Sequence, residues 1–401
     1  MTISRSVPGR PARCAARTAL RGVATAGVAA ALAGLLASAG LVSAQVRVTP
    51  KAAKGGRDLQ GAAWAEVPDA FKAMKLPEWP LPTDLQRWQG TDRAKTRATL
   101  LQCLGDLPAR PDPRRVRVLS REDKGDFILE RFEFHNGVDM VVPGLLAIPK
   151  QLKGRAPAVI GMHGHSGSKD EYRPNPDNPL SLGWMLVQKG FVVAAIDGYF
   201  NGERVGKGPG GPNLDKGAYP QEMSLFKLHL WQGRSLWGMM VRDEQCLLDY
   251  LETRPEVDPA RIGATGMSMG CTRTWWLSAI DDRVAAQVGV ACFTRYTDLL
   301  AHGNLRRHGI YYFVPSVFKH FDTEAIYALS APRPMLQLSG DQDGGAPTDG
   351  VVTLEKKLAA VYRLHGRPEN FRSVLYAGTG HEYLPEMRAE MVAWFTKHLR
   401  P

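Results

Sequence analysis

The clearest regularity in the chain begins near residue 158, where short apolar runs alternate with segments whose apolar residues recur at helical spacing. Strands are predicted over 158–162, 191–196, 261–265, 285–292, 334–339 and 371–376, and helices over 180–189, 236–253, 269–280, 351–364 and 385–399. Strands alternating with helices imply right-handed crossovers and a mostly parallel, doubly wound sheet covered on both faces. Two earlier strand-like runs, 127–134 and 140–148, flank His135-Asn136-Gly137. That is a hairpin signal, so the sheet should open with an antiparallel pair. Further upstream, Leu85, Trp88, Ala94, Leu100, Leu101 and Leu104 predict an accessory helix over 85–104, inside an N-terminal helical extension at 83–124. Residues 45–82 are rich in Lys, Ala and Pro without sustained periodicity and read as a poorly ordered leader. The main α/β domain is therefore expected at 125–401, with insertions at 202–219 and 294–329.

In an open parallel sheet, reactive groups gather beyond the carboxyl ends of the strands. The first candidate there is Gly266-Met267-Ser268-Met269-Gly270, a corner between a predicted strand and a predicted helix. A serine at such a corner is strained so that its hydroxyl stands clear of the sheet, and the flanking glycines leave room for neighbouring backbone. Ser268 is the candidate nucleophile. The second stretch, His163-Gly164-His165-Ser166-Gly167, follows the 158–162 strand. Attack on a carbonyl builds negative charge on oxygen, which preorganised N–H groups stabilise, and the N–H groups of His165 and Met269 are the candidate oxyanion donors. The third holds Asp341 and Asp343; either carboxylate could fix a histidine in one tautomer, and spacing does not choose between them. The fourth is Gly380-His381, past the last strand. An imidazole's ordinary pKa of about 6.5 suits a general base. Serine, then acid, then histidine is the chain order of one known triad arrangement.

Two insertions supply candidate pocket walls. Residues 202–219 are too rich in Gly and Pro to be regular, and read as a lid or a passive loop. Within 294–329, Arg306, Tyr311 and Tyr312 are candidate substrate contacts, because a guanidinium can hold a carboxylate and a phenol ring can stack on a sugar. Trp275 and Trp276 are expected to pack the helix after Ser268 instead.

The first 44 residues alter the reading of charge and location. They carry Arg5, Arg10, Arg13, Arg17 and Arg21, no acids, an apolar stretch over 22–42 and the small-residue site Val42-Ser43-Ala44. This pattern predicts a signal peptide cleaved after Ala44 and a periplasmic or secreted product, with an uncleaved membrane anchor as the alternative. No stable membrane association is expected once the signal is cleaved. The formal charge of +11 falls to about +6 without those five arginines (11 − 5). The remainder is spread along the chain, so no nucleic-acid footprint is visible. Of the five cysteines, Cys14 leaves with the signal; Cys103, Cys246, Cys271 and Cys292 show no C-x-x-C spacing, which gives zinc or dithiol chemistry no support. If one disulfide forms, Cys271 with Cys292 is the pair of choice. No metal or organic cofactor is called for, and nothing in the sequence sets the oligomeric state.

Over about residues 125–400 the sequence resembles the α/β-hydrolase superfamily, more narrowly its dienelactone-hydrolase-like and acetyl-xylan-esterase-like branch. The bearers are His163-Gly164-His165, Gly266-Met267-Ser268-Met269-Gly270, Gly340-x-x-Asp343-x-x-x-Pro347 and Gly380-His381. The resemblance implies an α/β-hydrolase fold and an acid loop of the form G-x-x-D-x-x-x-P, which favours Asp343 over Asp341. It implies a serine carboxylic-ester hydrolase with Ser268, Asp343 and His381 as its triad, acting on a small-molecule or carbohydrate ester. Dienelactone hydrolases carry cysteine where Ser268 stands, so lactones are not implied as substrates. The competing readings are a prolyl-oligopeptidase-like serine peptidase and a non-catalytic binding protein on the same scaffold. The roughly 80 residues between the signal and the main fold are too few for the propeller domain such peptidases usually carry.

Overall fold

The computed structural model describes residues 67–205 and 218–400. The predicted signal peptide, the leader as far as residue 66 and residues 206–217 of the expected lid lie outside them. Nine strands form one sheet: β1 (Arg117–Asp123), β2 (Phe127–His135), β3 (Val141–Pro149), β4 (Ala156–Met162), β5 (Val192–Ile196), β6 (Val257–Met267), β7 (Val284–Val290), β8 (Met335–Gly340) and β9 (Phe371–Tyr376). Their spatial order is β1-β2-β3-β5-β4-β6-β7-β8-β9. The first three strands and the β3–β5 pair are antiparallel; every pair from β5 to β9 is parallel.

Burial explains why the strands from β4 onward read as continuous apolar runs. Every residue of β4 and β5 is buried, as expected where helices cover both faces. Ala158, Ile160 and Met162 face one apolar layer, shared with helices Leu236–Thr253, Met269–Ile280 and Thr348–Leu364. Val159 faces the other, shared with helices Leu182–Gln188 and Pro385–Leu399. The hairpin forms where predicted, with Asn136 Oδ1 accepting the N–H groups of Val138, Asp139 and Met140.

Besides the short helices of the second insertion and a four-residue helix, Asp69–Lys72, in the expected leader, two longer elements were not predicted. The extension contains β1 besides its helix; this strand has no apolar face and six of its seven residues are exposed, so alternation gives no sign of it. It exists because β2 offers a ladder, and Arg117–Glu133 and Arg121–Glu130 ion pairs join the two strands. A charged edge also discourages pairing with another chain. The second is helix Ala218–Trp231, which follows the Gly/Pro-rich segment. The accessory helix runs as Leu85–Arg87, a π turn at Trp88–Asp92, and Arg93–Leu104. It is fastened to the main fold by Arg93 and Arg97, which both bond Asp282. The second insertion folds as helices Tyr296–Ala301 and Thr323–Ala328 with three 3-10 turns between them. Among the described residues no helix is long and apolar enough to cross a membrane.

Candidate active site

β6 ends at Met267 and a helix starts at Met269, leaving Ser268 alone at the corner with φ 58° and ψ −120°. A positive φ is costly for a residue with a Cβ and persists only where its surroundings enforce it. The enforcement is visible. The Ser268 N–H donates to the Val290 carbonyl on β7 at 2.9 Å, and its carbonyl accepts the Thr272 N–H at 3.1 Å. The corner also presses against the end of β4: a Cβ on Gly270 would stand 1.9 Å from the Met162 carbonyl oxygen, and one on Gly266 2.5 Å from the same atom. Neither position has room for a side chain. Trp275 and Trp276 are wholly buried and pack the elbow helix.

The loops after β8 and β9 are tied together. His381 Nδ1 lies 2.8 Å from Asp343 Oδ2, and the other oxygen, Oδ1, accepts the Gly345 N–H at 2.8 Å. The Asp343 side chain is only 3% exposed, against 43% for His381, so the carboxylate is buried behind an accessible ring. The Asp341 N–H donates to the Tyr376 carbonyl and the Gln342 N–H to that of Thr379, lacing one loop to the other. Asp341 Oδ1 is buried without a partner. His308, in the second insertion, supports the acid loop by bonding the Gly345 carbonyl at 2.8 Å and stacking on Tyr312 at 4.0 Å. Burial pushes its pKa down to about 4, so it is neutral and donates through Nε2–H. Among the described residues no hydrogen bond joins Ser268 Oγ to His381.

The loop after β4 passes beside the elbow, with a Cβ on Gly164 reaching 3.8 Å from Ser268 Cβ. Its N–H groups are committed one by one: Gly164 donates to Glu171 Oε2 at 3.4 Å, Ser166 to Asn201 Oδ1 at 2.9 Å and Gly167 to the Gly164 carbonyl at 3.1 Å. The N–H of His165, between them, has no acceptor among the described residues. Met269 opens a helix, where N–H groups have no intrahelical acceptor. His163 is wholly buried, and burial with the nearby Arg273 guanidinium holds its pKa well below the usual imidazole value. Its Nε2 accepts the Gly198 N–H at 2.9 Å, so the ring proton sits on Nδ1 and is donated to the Gly164 carbonyl at 2.7 Å. Arg273, also missed from sequence, donates to the His163 carbonyl and to Glu244, both at 2.7 Å. Its sequence signal is the one charge on the helix Met269–Ile280.

The His165 ring meets Tyr311 at 5.2 Å, Phe200 at 6.1 Å and the Glu222 carboxylate at 2.9 Å. Tyr311 and Tyr312 are buried and Arg306 is exposed. Tyr312 also lines a cavity of about 470 Å³ between residues 74–77 and the second insertion, whose walls include none of Ser268, Asp343 or His381. Cys103, Cys246, Cys271 and Cys292 are free buried thiols, so the Cys271–Cys292 bridge does not form. Among the described residues no group of three His, Cys, Asp or Glu could hold a metal ion.

The strained serine between strand and helix, and the buried aspartate bonded to a histidine on the loops of two later strands, all lie beyond the carboxyl ends of the parallel strands of an α/β-hydrolase fold. The chain belongs to the Abhydrolase family, whose model matches residues 80–391. It is 36% identical over 317 residues to "Putative hydrolase YtaP" of Bacillus subtilis, covering 77% of this chain and 100% of that one. It is 24% identical over 303 residues to "Carbohydrate esterase MZ0003" of an unknown prokaryotic organism, 64% and 66% of the two chains. In fold it is similar to a glucuronoyl esterase from Solibacter usitatus, with TM-score 0.61, 18% identity and coverage of 82% and 100%.

Proposed function

We propose that this protein is an exported serine hydrolase that cleaves carboxylic esters, with acylated carbohydrates as the substrate class, through an acyl-enzyme. The observation that carries the reading is the 2.8 Å bond that His381 Nδ1–H donates to buried Asp343, on loops at the same end of the parallel sheet as the strained Ser268. Ser268 Oγ attacks the ester carbonyl while His381 Nε2 takes its proton; the Asp343 carboxylate stabilises the imidazolium and fixes the tautomer. The Ser268–His381 contact belongs to the substrate complex, since catalytic hydrogen bonds in free enzymes are often long and tighten on binding. The N–H groups of His165 and Met269 receive the oxyanion. His381 then protonates the departing alcohol, and water, deprotonated by the same ring, releases the acid and restores Ser268. Tyr311, beside His165, forms a wall of the site. The carbohydrate part rests on the names of the relatives, and export on the pattern of residues 1–44.

The test is hydrolysis of p-nitrophenyl acetate, acetylated xylan and peptide amides by the wild type and Ser268→Ala. Ester turnover that vanishes in the variant supports the reading. Near-wild-type turnover by Ser268→Ala ends it, and preferential cleavage of peptide amides would replace it with a peptidase.

A further inference from the structure

Beside the elbow lies a second imidazole–carboxylate pair that the mechanism above does not use. Glu222, on helix Ala218–Trp231, is 1% exposed, and its Oε2 lies 2.9 Å from His165 Nε2. A buried carboxylate held against an imidazole that is 38% exposed is an ordering contact, because the ring's far end is fixed while its near end belongs to the loop backbone. The fit is built from both sides. Phe200 and Tyr311 flank the ring, and a Cβ on Gly309 would fall 2.4 Å from Glu222 Oε1, so glycine there is what admits the carboxylate.

The consequence runs through the main chain. Gly164, Ser166 and Gly167 each spend their N–H on protein acceptors, Ser166 sits at φ 65°, and of these four residues His165 alone has an N–H with no acceptor among the described residues, left to face a ligand. The direction of that N–H depends on the peptide plane between Gly164 and His165, whose downstream end carries the anchored ring. From this geometry we infer that Glu222 is a positioning residue for ester hydrolysis: by holding the His165 ring it aims the His165 N–H at the oxyanion. The inference rests on the serine-hydrolase reading. An oxyanion donor acts on the tetrahedral state more than on bound substrate, and losing one outright costs about 10²–10³ in kcat. Misaiming it should cost less, on the order of 10–100-fold.

Glu222→Ala, Glu222→Gln and Gly309→Ala test the inference with p-nitrophenyl acetate and a trifluoromethyl ketone, which forms a tetrahedral adduct with a reactive serine. Glu222→Ala is expected to lower kcat by about 10–100-fold with KM within about threefold, and to weaken the ketone by the same factor as kcat. Glu222→Gln, whose amide oxygen still accepts from Nε2–H, should recover most of both, which a merely structural loss would not. Gly309→Ala keeps the carboxylate but displaces it, and should reproduce the loss; it and Glu222→Gln carry the test if Glu222→Ala does not fold. A Glu222→Ala enzyme with kcat within twofold of wild type, or a loss confined to KM, overturns the inference. So does a folded Glu222→Gln enzyme no better than Glu222→Ala. Should the wild type hydrolyse no ester at all, the serine-hydrolase reading falls instead.

Discussion

Asp343→Asn is the substitution whose effect the structure specifies most closely. Both carboxylate oxygens have fixed partners: Oδ1 accepts from the Gly345 N–H at 2.8 Å and Oδ2 faces His381 Nδ1 at 2.8 Å. An asparagine must give its oxygen to the Gly345 donor, which turns its NH₂ towards His381. The Nδ1 atom then becomes an acceptor, the ring proton moves to Nε2, and the nitrogen needed to take the Ser268 proton already carries one. The corresponding exchange in a serine protease triad costs about 10⁴ in kcat, equivalent to ~5 kcal/mol of barrier at ~1.36 kcal/mol per factor of ten. We expect a loss of that order in kcat for p-nitrophenyl acetate, with the melting temperature little changed because the side chain keeps its volume. Asp341→Asn serves as the internal control, since Asp341 makes no bond to His381 among the described residues, and it should stay within about tenfold of wild type. Turnover by Asp343→Asn within tenfold of wild type, or a loss of 10³ or more in Asp341→Asn, would refute the reasoning.

Gly270→Ala places a methyl group 1.9 Å from the Met162 carbonyl oxygen, where backbone has to move; we expect at least ~1–3 kcal/mol of destabilisation, read as a lower urea midpoint, and an unchanged midpoint would contradict it. His163 and His308 are both held neutral by burial, His308 with a pKa of about 4. Their folded pKa values lie below the unfolded one, so the unfolded chain takes up protons first as pH falls. The contribution of these two rings is whole above about pH 6.5 and is lost on the way down to 4, by up to ~3 kcal/mol for His308 alone (6.5 minus about 4, at ~1.36 kcal/mol per unit), while the buried Glu244 carboxyl, raised to about 7, acts in the opposite sense. Urea titrations of wild type and His308→Gln at pH 7.5, 5.5 and 4.5 should show the wild type losing more stability, or gaining less, than the variant as pH falls; identical pH profiles would speak against it. All four thiols of the described region are buried and unbridged, so thiol titration should find almost none in the native protein and four per chain in urea without reductant, with a fifth only if Cys14 is retained. Two thiols missing in urea would reinstate the disulfide.

The hydrolase core is legible in the sequence because burial and pattern coincide there. β4 and β5 are covered on both faces and so read as unbroken apolar runs, while the strand–Gly-x-Ser-x-Gly–helix corner needs its glycines for contact with Met162. What was not legible depends on partners distant in the chain. β1 is a strand only because β2 lies beside it, and alternation cannot reveal a strand exposed on both faces. The choice between Asp341 and Asp343 is not a matter of spacing; it is made by which carboxylate the turn at Gly345 directs at His381. Glu222 is invisible in the same way, lying in a helix that a Gly/Pro-rich neighbour obscures and acquiring meaning only where that helix meets the loop after β4.

The central claim, that Ser268 is an activated nucleophile, is most directly tested by treating the folded protein with a fluorophosphonate and locating the adduct by peptide mass spectrometry. The account predicts one adduct per chain, on Ser268, formed far more slowly in Asp343→Asn and absent in Ser268→Ala. An unlabelled protein that is fully folded, or an adduct on any other serine, would contradict it.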